Sequence, residues 1–478
     1  MSNLKIFNAI LLAGIASLIL IGCGGGSTST SPPPAIHNEW TWVGGADVVN
    51  QTGNYGTLGI AAPGNVPGAR AGATVGTDAD GNFWLFGGSG ASATTWGELN
   101  DLWKYSGGQW TWISGSSSAD ASGGVYGTQG VAAPGNFPGP RWLGVSWTDN
   151  SGNFWIFGGT GLDSTGPSTG EHLLNDLWKY SGGQWTWMSG SNLGSDPGIS
   201  VQMPVYGTQG VASSNNVPGA RNIANSWSDA SGNLWLFGGE GVDSNGKLGL
   251  LNDLWKYSGG QWTWMSGSNL GNQYGTYGTL GTAAPGNVPG ARTNPVTWTD
   301  ASGNLWLFGG WGYDSGGNPT QLNSELNDLW KYSAGEWTWM GGSNVAGQSG
   351  NYGTKGLAAP GNIPGGRDSA VGWSDSTGNF WLFGGTGCDS TGVCTIDLND
   401  LWKYSGGQWT WMSGSNLAGQ GGTYGTQGTP APGNVPGCRD WAVGWADKSG
   451  NLWLFGGAPV DCGTSSTAKF NDLWEYQP

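Results

Sequence analysis

Charged side chains are scarce in this chain. Asp, Glu, Lys and Arg make up 10% of its 478 residues, and His37 and His172 are its only histidines. That leaves little material for His-based metal centres or for Ser/His/Asp catalysis. Cations are the rarer sign, 16 against 31 acids, and a net charge of −15 argues against nucleic acid as a partner. The one long apolar run, Ile10 to Ile21, is shorter than the ~20 residues a spanning helix needs. What is abundant is glycine, at 95, and tryptophan, at 33. Interior glycine costs a helix about 1 kcal/mol per site, which excludes an α-helical protein. The glycines follow no three-residue period, which excludes collagen. Aromatics at 12% supply a core, which argues against disorder.

Met1 to Gly22 reads as an export signal, with Lys5 as its positive start. It ends in Leu20-Ile21-Gly22-Cys23, which resembles the bacterial lipobox at all four positions. The resemblance implies cleavage before Cys23 and lipidation of that Cys; the alternative is an ordinary secretory signal with an incidental Cys. Gly24 is not Asp, and by resemblance to the sorting rule of two-membrane bacteria this implies the outer membrane. Residues 23–39 then form a tether, Gly/Ser/Thr/Pro-rich from Gly24 to Pro34. Loss of the leader removes one Lys and no acid, so 15 cations face 31 anions and the net charge becomes −16.

From residue 40 onward the chain repeats itself six times, at intervals of 70 to 80 residues. Trp-Thr-Trp begins at Trp40, Trp110, Trp185, Trp262, Trp337 and Trp409. A Trp-Leu/Ile-Phe-Gly-Gly block begins at Trp84, Trp155, Trp235, Trp306, Trp381 and Trp453. Asn-Asp-Leu-Trp ends at Trp103, Trp178, Trp255, Trp330, Trp402 and Trp474, and Pro-Gly-x-Arg ends at Arg70, Arg141, Arg221, Arg292, Arg367 and Arg439. Each copy holds four strand-like runs, A to D. In the third copy they are Arg221–Ser228, Asn233–Gly238, Asp253–Tyr257 and Trp262–Met265. Tight-turn residues join A to B and C to D. Four antiparallel strands per copy predict a propeller blade.

These motifs resemble the kelch family: the Arg opening strand A, Phe-Gly-Gly ending strand B, Asn-Asp-Leu-Trp in strand C and the Trp of strand D. The resemblance covers Trp40 to Tyr476 and implies an all-β, six-bladed propeller of the galactose oxidase-like class. Two departures suggest a bacterial subgroup: Pro-Gly-x-Arg replaces the usual Pro-Arg, and the D–A loops are long, with Tyr-Gly-Thr-x-Gly and Pro-Gly-Asn or a close variant. The last copy has A, B and C but no D, whereas the chain begins with a D strand at Trp40-Thr41-Trp42. The two ends are therefore expected to complete one sheet, making residues 40–478 a single domain.

Residues present in every copy are most simply explained by the blade. That accounts for 29 of 33 tryptophans, counting five placed six residues after the Arg. The six arginines could ring the channel mouth as an anion site. They could equally pair with Asp101, Asp176, Asp253, Asp328, Asp400 and Asp472, and this structural reading is preferred. Trp96, Trp142, Trp311 and Trp441 stand outside the repeat. Trp96 and Trp311 are read as lying in B–C loops, and Trp142 and Trp441 at the start of strand A, all on the face of the long D–A and B–C loops, with Tyr313 beside Trp311. The residue after each Arg also varies (Ala71, Trp142, Asn222, Thr293, Asp368, Asp440) and would line the channel entrance. Aromatics beside Asp and Asn suit sugar recognition; the alternative is that they plug the channel or brace loops.

Galactose oxidase-like propellers that carry copper need two His and two Tyr ligands, which two histidines, one of them in the tether, do not supply. No cofactor and no metal is expected. Asp163, Asp243, Asp314, Asp389 and Asp461 read as turn-formers in B–C loops, not calcium ligands, and His172 as a solvated loop residue beside Glu171. Resemblance to sialic-acid epimerases leaves one enzymatic option, with Asp368, Asp440 and Glu171 as acid or base. The expected function is a non-catalytic, lipid-anchored envelope propeller, a monomer that binds carbohydrate or an extracellular protein through its long-loop face and touches membrane only through its lipid. Alternatives are a metal-independent sugar-modifying enzyme and a structural or adhesion protein. Export also predicts disulfides. Cys388 and Cys394 share one B–C loop, while Cys438 and Cys462 flank the first strands of the last blade, so those two pairings are expected.

Overall fold

The computed structural model describes residues 38–196, 200–316, 324–460, 462, 465 and 467–478. The leader, Cys23, His37, Asp461 and most of the tether lie outside the described residues. No helix among the described residues is long and apolar enough to cross a membrane.

Sequence and turn chemistry build each blade in the same way. In blade 3, strand A (Asn225–Ser228) turns into strand B (Leu234–Val242) around Asp229. The Asp229 carboxylate accepts bonds from the Ser231 and Asn233 backbone N–H groups and from the Trp235 indole, so the turn carries its own clamp. Strand C (Leu248–Ser258) meets strand D (Gln261–Ser266) through Gly259 and Gly260, with φ of 56° and 82°. A two-residue hairpin turn of that kind needs positive φ at both positions, which is why Gly-Gly recurs there. Between B and C the ladder slips at Phe237/Gly239. Gly238 has φ 63°, and a Cβ there would stand 2.8 Å from the Arg292 carbonyl of the next blade, which explains the Phe-Gly-Gly motif.

The hydrogen-bonded order is D-C-B-A in every blade. In the sixth, strand D is Glu39–Gly44, paired antiparallel with Leu473–Gln477, whose other neighbours are Leu452–Phe455 and then Val443–Ala446. Ring closure is visible in the innermost strands. Those of blades 1 to 6 (74–77, 145–148, 225–228, 296–299, 371–374 and 443–446) touch in succession, and the last touches the first. The expected six-bladed propeller, closed by the N-terminal strand, is the fold.

The cores lie between blades. One joins Trp147, Trp155 and Phe157 of blade 2 to Leu236, Trp255 and Trp262 of blade 3. Indole N–H groups cross the same seams, from Trp147 to the Trp235 carbonyl and from Trp445 to that of Trp84, the latter across the first and last copies. Trp40 is 1% exposed and packs on Phe383, Trp474 and Tyr476.

Strands B and C run further than the sequence suggests. In blade 1 they cover Phe83–Ala91 and Trp96–Ser106, leaving a four-residue turn; in blade 3 five residues separate them. Trp96 therefore opens strand C, and Trp311 sits inside strand B (Leu305–Gly312); neither is a loop residue. The D–A loops are bound down in every copy: in blade 3, Gly210 N–H bonds to the Trp264 carbonyl and the Asn216 amide to that of Trp262. Long as they are, they are fixtures of the outer strand.

Candidate functional site

The six arginines do not ring the channel mouth. Each is at most 1% exposed and points into its own blade, where Nη1 and Nη2 make paired contacts of 2.6–2.8 Å to the Asp of strand C. Nε and Nη1 also bond to glycine carbonyls, as Arg221 does to Gly219 and Gly238. The same Asp accepts the indole N–H two residues on and a tyrosine hydroxyl from the Tyr-Gly-Thr loop, Tyr206 in the case of Asp253. These guanidiniums are committed to structure.

The axis belongs to the next residue but one. Gly72, Leu143, Ile223, Asn294, Ser369 and Trp441 all have φ between 49° and 63°. Their backbones form a closed belt: Leu143 N–H bonds to Gly72, Ile223 to Leu143, Asn294 to Ile223, Ser369 to Asn294, Trp441 to Ser369 and Gly72 to Trp441, at 2.8–3.3 Å. Five of the six are not glycine, so the belt holds left-handed strain of about 1–2 kcal/mol per residue. Below it lies a cavity of about 190 Å³, lined by the belt and small residues such as Ala73, Gly144 and Ala442. Trp441 lines this inner channel, not the outer mouth where its position in sequence suggested it would stand.

Above the belt, three positions per blade face one another across strands A, B and C: the residue after the Arg, the residue after Phe-Gly-Gly, and the residue two before Asn-Asp. In blade 4 these are Thr293, Trp311 and Glu325, and in blade 5 Asp368, Thr386 and Asp397. Directly opposed residues share a face of the sheet. None of these three positions is constant among the copies. The ring holds Trp142 and Asn222 on blades 2 and 3, Glu98 and Ser89 on blade 1, and Asp440 and Lys469 on blade 6.

This mouth is crowded with acid. Asp440 lies within electrostatic reach of Asp397 and Asp368, and Asp368 of Glu325. Lys469 stands between Glu98 and Asp440 and donates to Ser89 Oγ at 3.1 Å. Burial pushes the Asp368 carboxyl up to about 7, and Glu325 adds to the shift. Burial, reinforced by Glu171 and Asp120, pushes Glu98 up to about 8. Asp440 and Glu325 are raised chiefly by burial too, and burial lowers Lys469. Four acceptors here meet no donor among the described residues: Glu98 Oε2, Asn222 Oδ1, Glu325 Oε2 and Asp440 Oδ1. Asn222 does donate its amide to Thr160 Oγ1 across the blade seam.

Of the sequence candidates, the structure gathers Trp142, Asn222, Trp311, Asp368 and Asp440 here. Trp96 stands at the rim, 46% exposed, with the Lys469 ammonium 5.8 Å from its ring centre. Tyr313 is further out, edge-on to Tyr274. Ala71, Thr293 and Asp440 are buried beneath the opening and do not stand free at its edge. Glu98, Glu325, Asp397 and Lys469 were not anticipated; the signal was there, as variation at one fixed offset from an invariant motif. Two disulfides join Cys388 to Cys394 and Cys438 to Cys462. The B–C aspartates brace their own loops and tie them to the D–A loop that follows: Asp163 accepts from Thr165 and from Gly194, and Asp389 from Thr391 and from Ala418. Among the described residues no three His, Cys, Asp or Glu side chains could hold a metal, and one histidine, His172, is present. The donor set does not fit the copper of galactose oxidase-like proteins.

No protein-family model matches the chain, and no curated protein does. Among solved structures it is similar to YjhT, at 12% identity over 88% of this chain and 96% of that one, with a TM-score of 0.46. It is also similar to a fungal alcohol oxidase of the AA5 family solved with copper, at 12% identity over 90% of this chain and 77% of that one, with a TM-score of 0.44. The propeller assignment stands on the chain's own sheet order and ring closure.

Proposed function

We propose that the protein is a non-catalytic binding propeller of the bacterial cell envelope that takes carbohydrate at its axial mouth. The supporting observation is the set of four buried acceptors without donors, set beside the half-buried indoles of Trp142 and Trp311. A buried acceptor left unpaired costs about 1–3 kcal/mol, and sugar hydroxyls would repay that cost while ring faces cover the indoles. Carboxyls still partly protonated near neutral pH can donate as well as accept. Titration calorimetry of the full chain in detergent against a panel of neutral oligosaccharides tests this. Binding that is lost in Trp142→Ala and Trp311→Ala is expected; no binding by any member would refute it.

A second reading, a metal-independent sugar-modifying enzyme, draws on Asp368, held near 7 next to Asp440. It requires Asp368→Asn to lose turnover while keeping affinity. Attachment through a lipid on Cys23 rests on the lipobox and tether. Mass spectrometry of the mature N-terminus should find an acylated Cys23; a free amine at another residue would refute the anchor.

A further inference from the structure

We infer that the mouth selects a sugar bearing a free, protonated amine, an unacetylated amino sugar, whose ammonium is received by Glu325 and Asp440. This rests on the carbohydrate reading above and narrows its ligand class. Two independent observations carry it. The first is a shortage of donors: Glu325 is 2% exposed and Asp440 7%, and each has one carboxylate oxygen that meets no donor among the described residues. The second is a shortage of positive charge. On the blade 4 to blade 6 side, Asp368 interacts with Glu325, and Asp440 with Asp397 and Asp368; among the described residues the one ammonium that reaches this group, Lys469, acts on Asp440 and is shared with Glu98. The arginines that might have balanced this side are each spent on a strand C aspartate.

A neutral hydroxyl would satisfy the first shortage only, and an anion neither. An ammonium answers both, with three donors and the missing charge. Its arrival favours the ionised carboxylates, so a carboxyl proton leaves for solvent as the amine binds. Among the described residues the groups facing Asp368 and Asp440 are Glu325, Asp397, Lys469, Thr386, Ser369 and Asn294, and of these only Lys469 opposes the ligand's charge.

The test is calorimetry of the full chain in detergent, with glucosamine oligosaccharides and their N-acetylated counterparts as probes. The amine form should bind about tenfold tighter or better, the value of one charge-assisted hydrogen bond. Its apparent enthalpy should change between buffers of different ionisation enthalpy, as proton release requires. Glu325→Gln and Asp440→Asn should erase the preference, with circular dichroism confirming the fold. Equal or tighter binding of the acetylated form would overturn this inference and leave the carbohydrate reading standing. Binding of neither form would overturn this inference and leave the carbohydrate reading to the neutral panel; tight binding of spermidine with no sugar of either set bound would overturn both.

Discussion

Removing one aspartate from one blade should cost a large part of the molecule's stability. Asp253 is fully buried and accepts four donors: Arg221 Nη1 at 2.7 Å and Nη2 at 2.8 Å, the Tyr206 hydroxyl at 2.7 Å and the Trp255 indole at 2.7 Å. Asp253→Ala strands a guanidinium that is itself 1% exposed. Breaking a buried ion pair from one side costs about 3–5 kcal/mol, and each neutral donor left behind adds about 1 kcal/mol. A loss of about 5–7 kcal/mol is expected, against total stabilities of about 5–15 kcal/mol for folded proteins. Replacing both partners with apolar residues removes the charge as well as its partner, so Arg221→Met with Asp253→Leu should cost clearly less than Asp253→Ala alone. Urea unfolding followed by tryptophan fluorescence measures all the variants, with Tyr206→Phe, worth about 1 kcal/mol, as the internal scale. Additive single effects, or a cost below about 1 kcal/mol for Asp253→Ala, would refute the network as the blade's fastener.

Other outcomes follow from the same geometry. Trp40→Ala should destabilise by about 3–5 kcal/mol, because Trp40 is buried in the sheet that joins the chain ends; an unchanged melting temperature would refute closure by this strand. Gly238→Ala should cost at least about 1–2 kcal/mol, since it adds left-handed strain to a close approach on the Arg292 carbonyl; calorimetric melting checks it. Non-reducing peptide mapping should recover Cys388 linked to Cys394 and Cys438 linked to Cys462; a crossed pairing would refute the loop arrangement at the mouth.

The scaffold was legible in the sequence because repetition exposes it. An Arg and an Asp in every copy pointed to a pair, and a missing strand D at one end matched a spare one at the other. Legibility failed where one residue decides direction. Trp142 and Trp441 sit one and two residues after their arginines, and that single step, across a residue of positive φ, separates the mouth from the inner channel. No propensity marks Leu143, Ile223 or Trp441 for a left-handed backbone; the belt's closure imposes it. Glu98 and Glu325 were missed for a different reason. The Trp96-Gly97-Glu98 and Ser324-Glu325 segments look like loop, yet strand B holds them in register past its bulge.

The mouth breaks the rules the blades keep, and Glu98 allows that cost to be measured. Its carboxyl is 7% exposed, beside Glu171 and Asp120, with Lys469 and Ser89 in partial compensation. It rises from 4.5 to about 8 on folding. The sign follows from linkage. Between those values the native state holds a proton that the unfolded chain has released, so stability falls as pH rises through the window. Glu98→Gln is neutral at every pH and does not take part in that loss. It should match the parent protein in acid, gain on it by about 1.4 kcal/mol per pH unit across the window, and stand roughly 3 kcal/mol ahead at neutral pH. Urea midpoints of both proteins at a series of pH values read this directly. A constant difference, or a variant less stable at neutral pH, would show the carboxyl to be a structural partner and remove Glu98 from the site. A stabilised variant that loses its oligosaccharide ligand would show that this buried charge is kept for recognition at the expense of the fold.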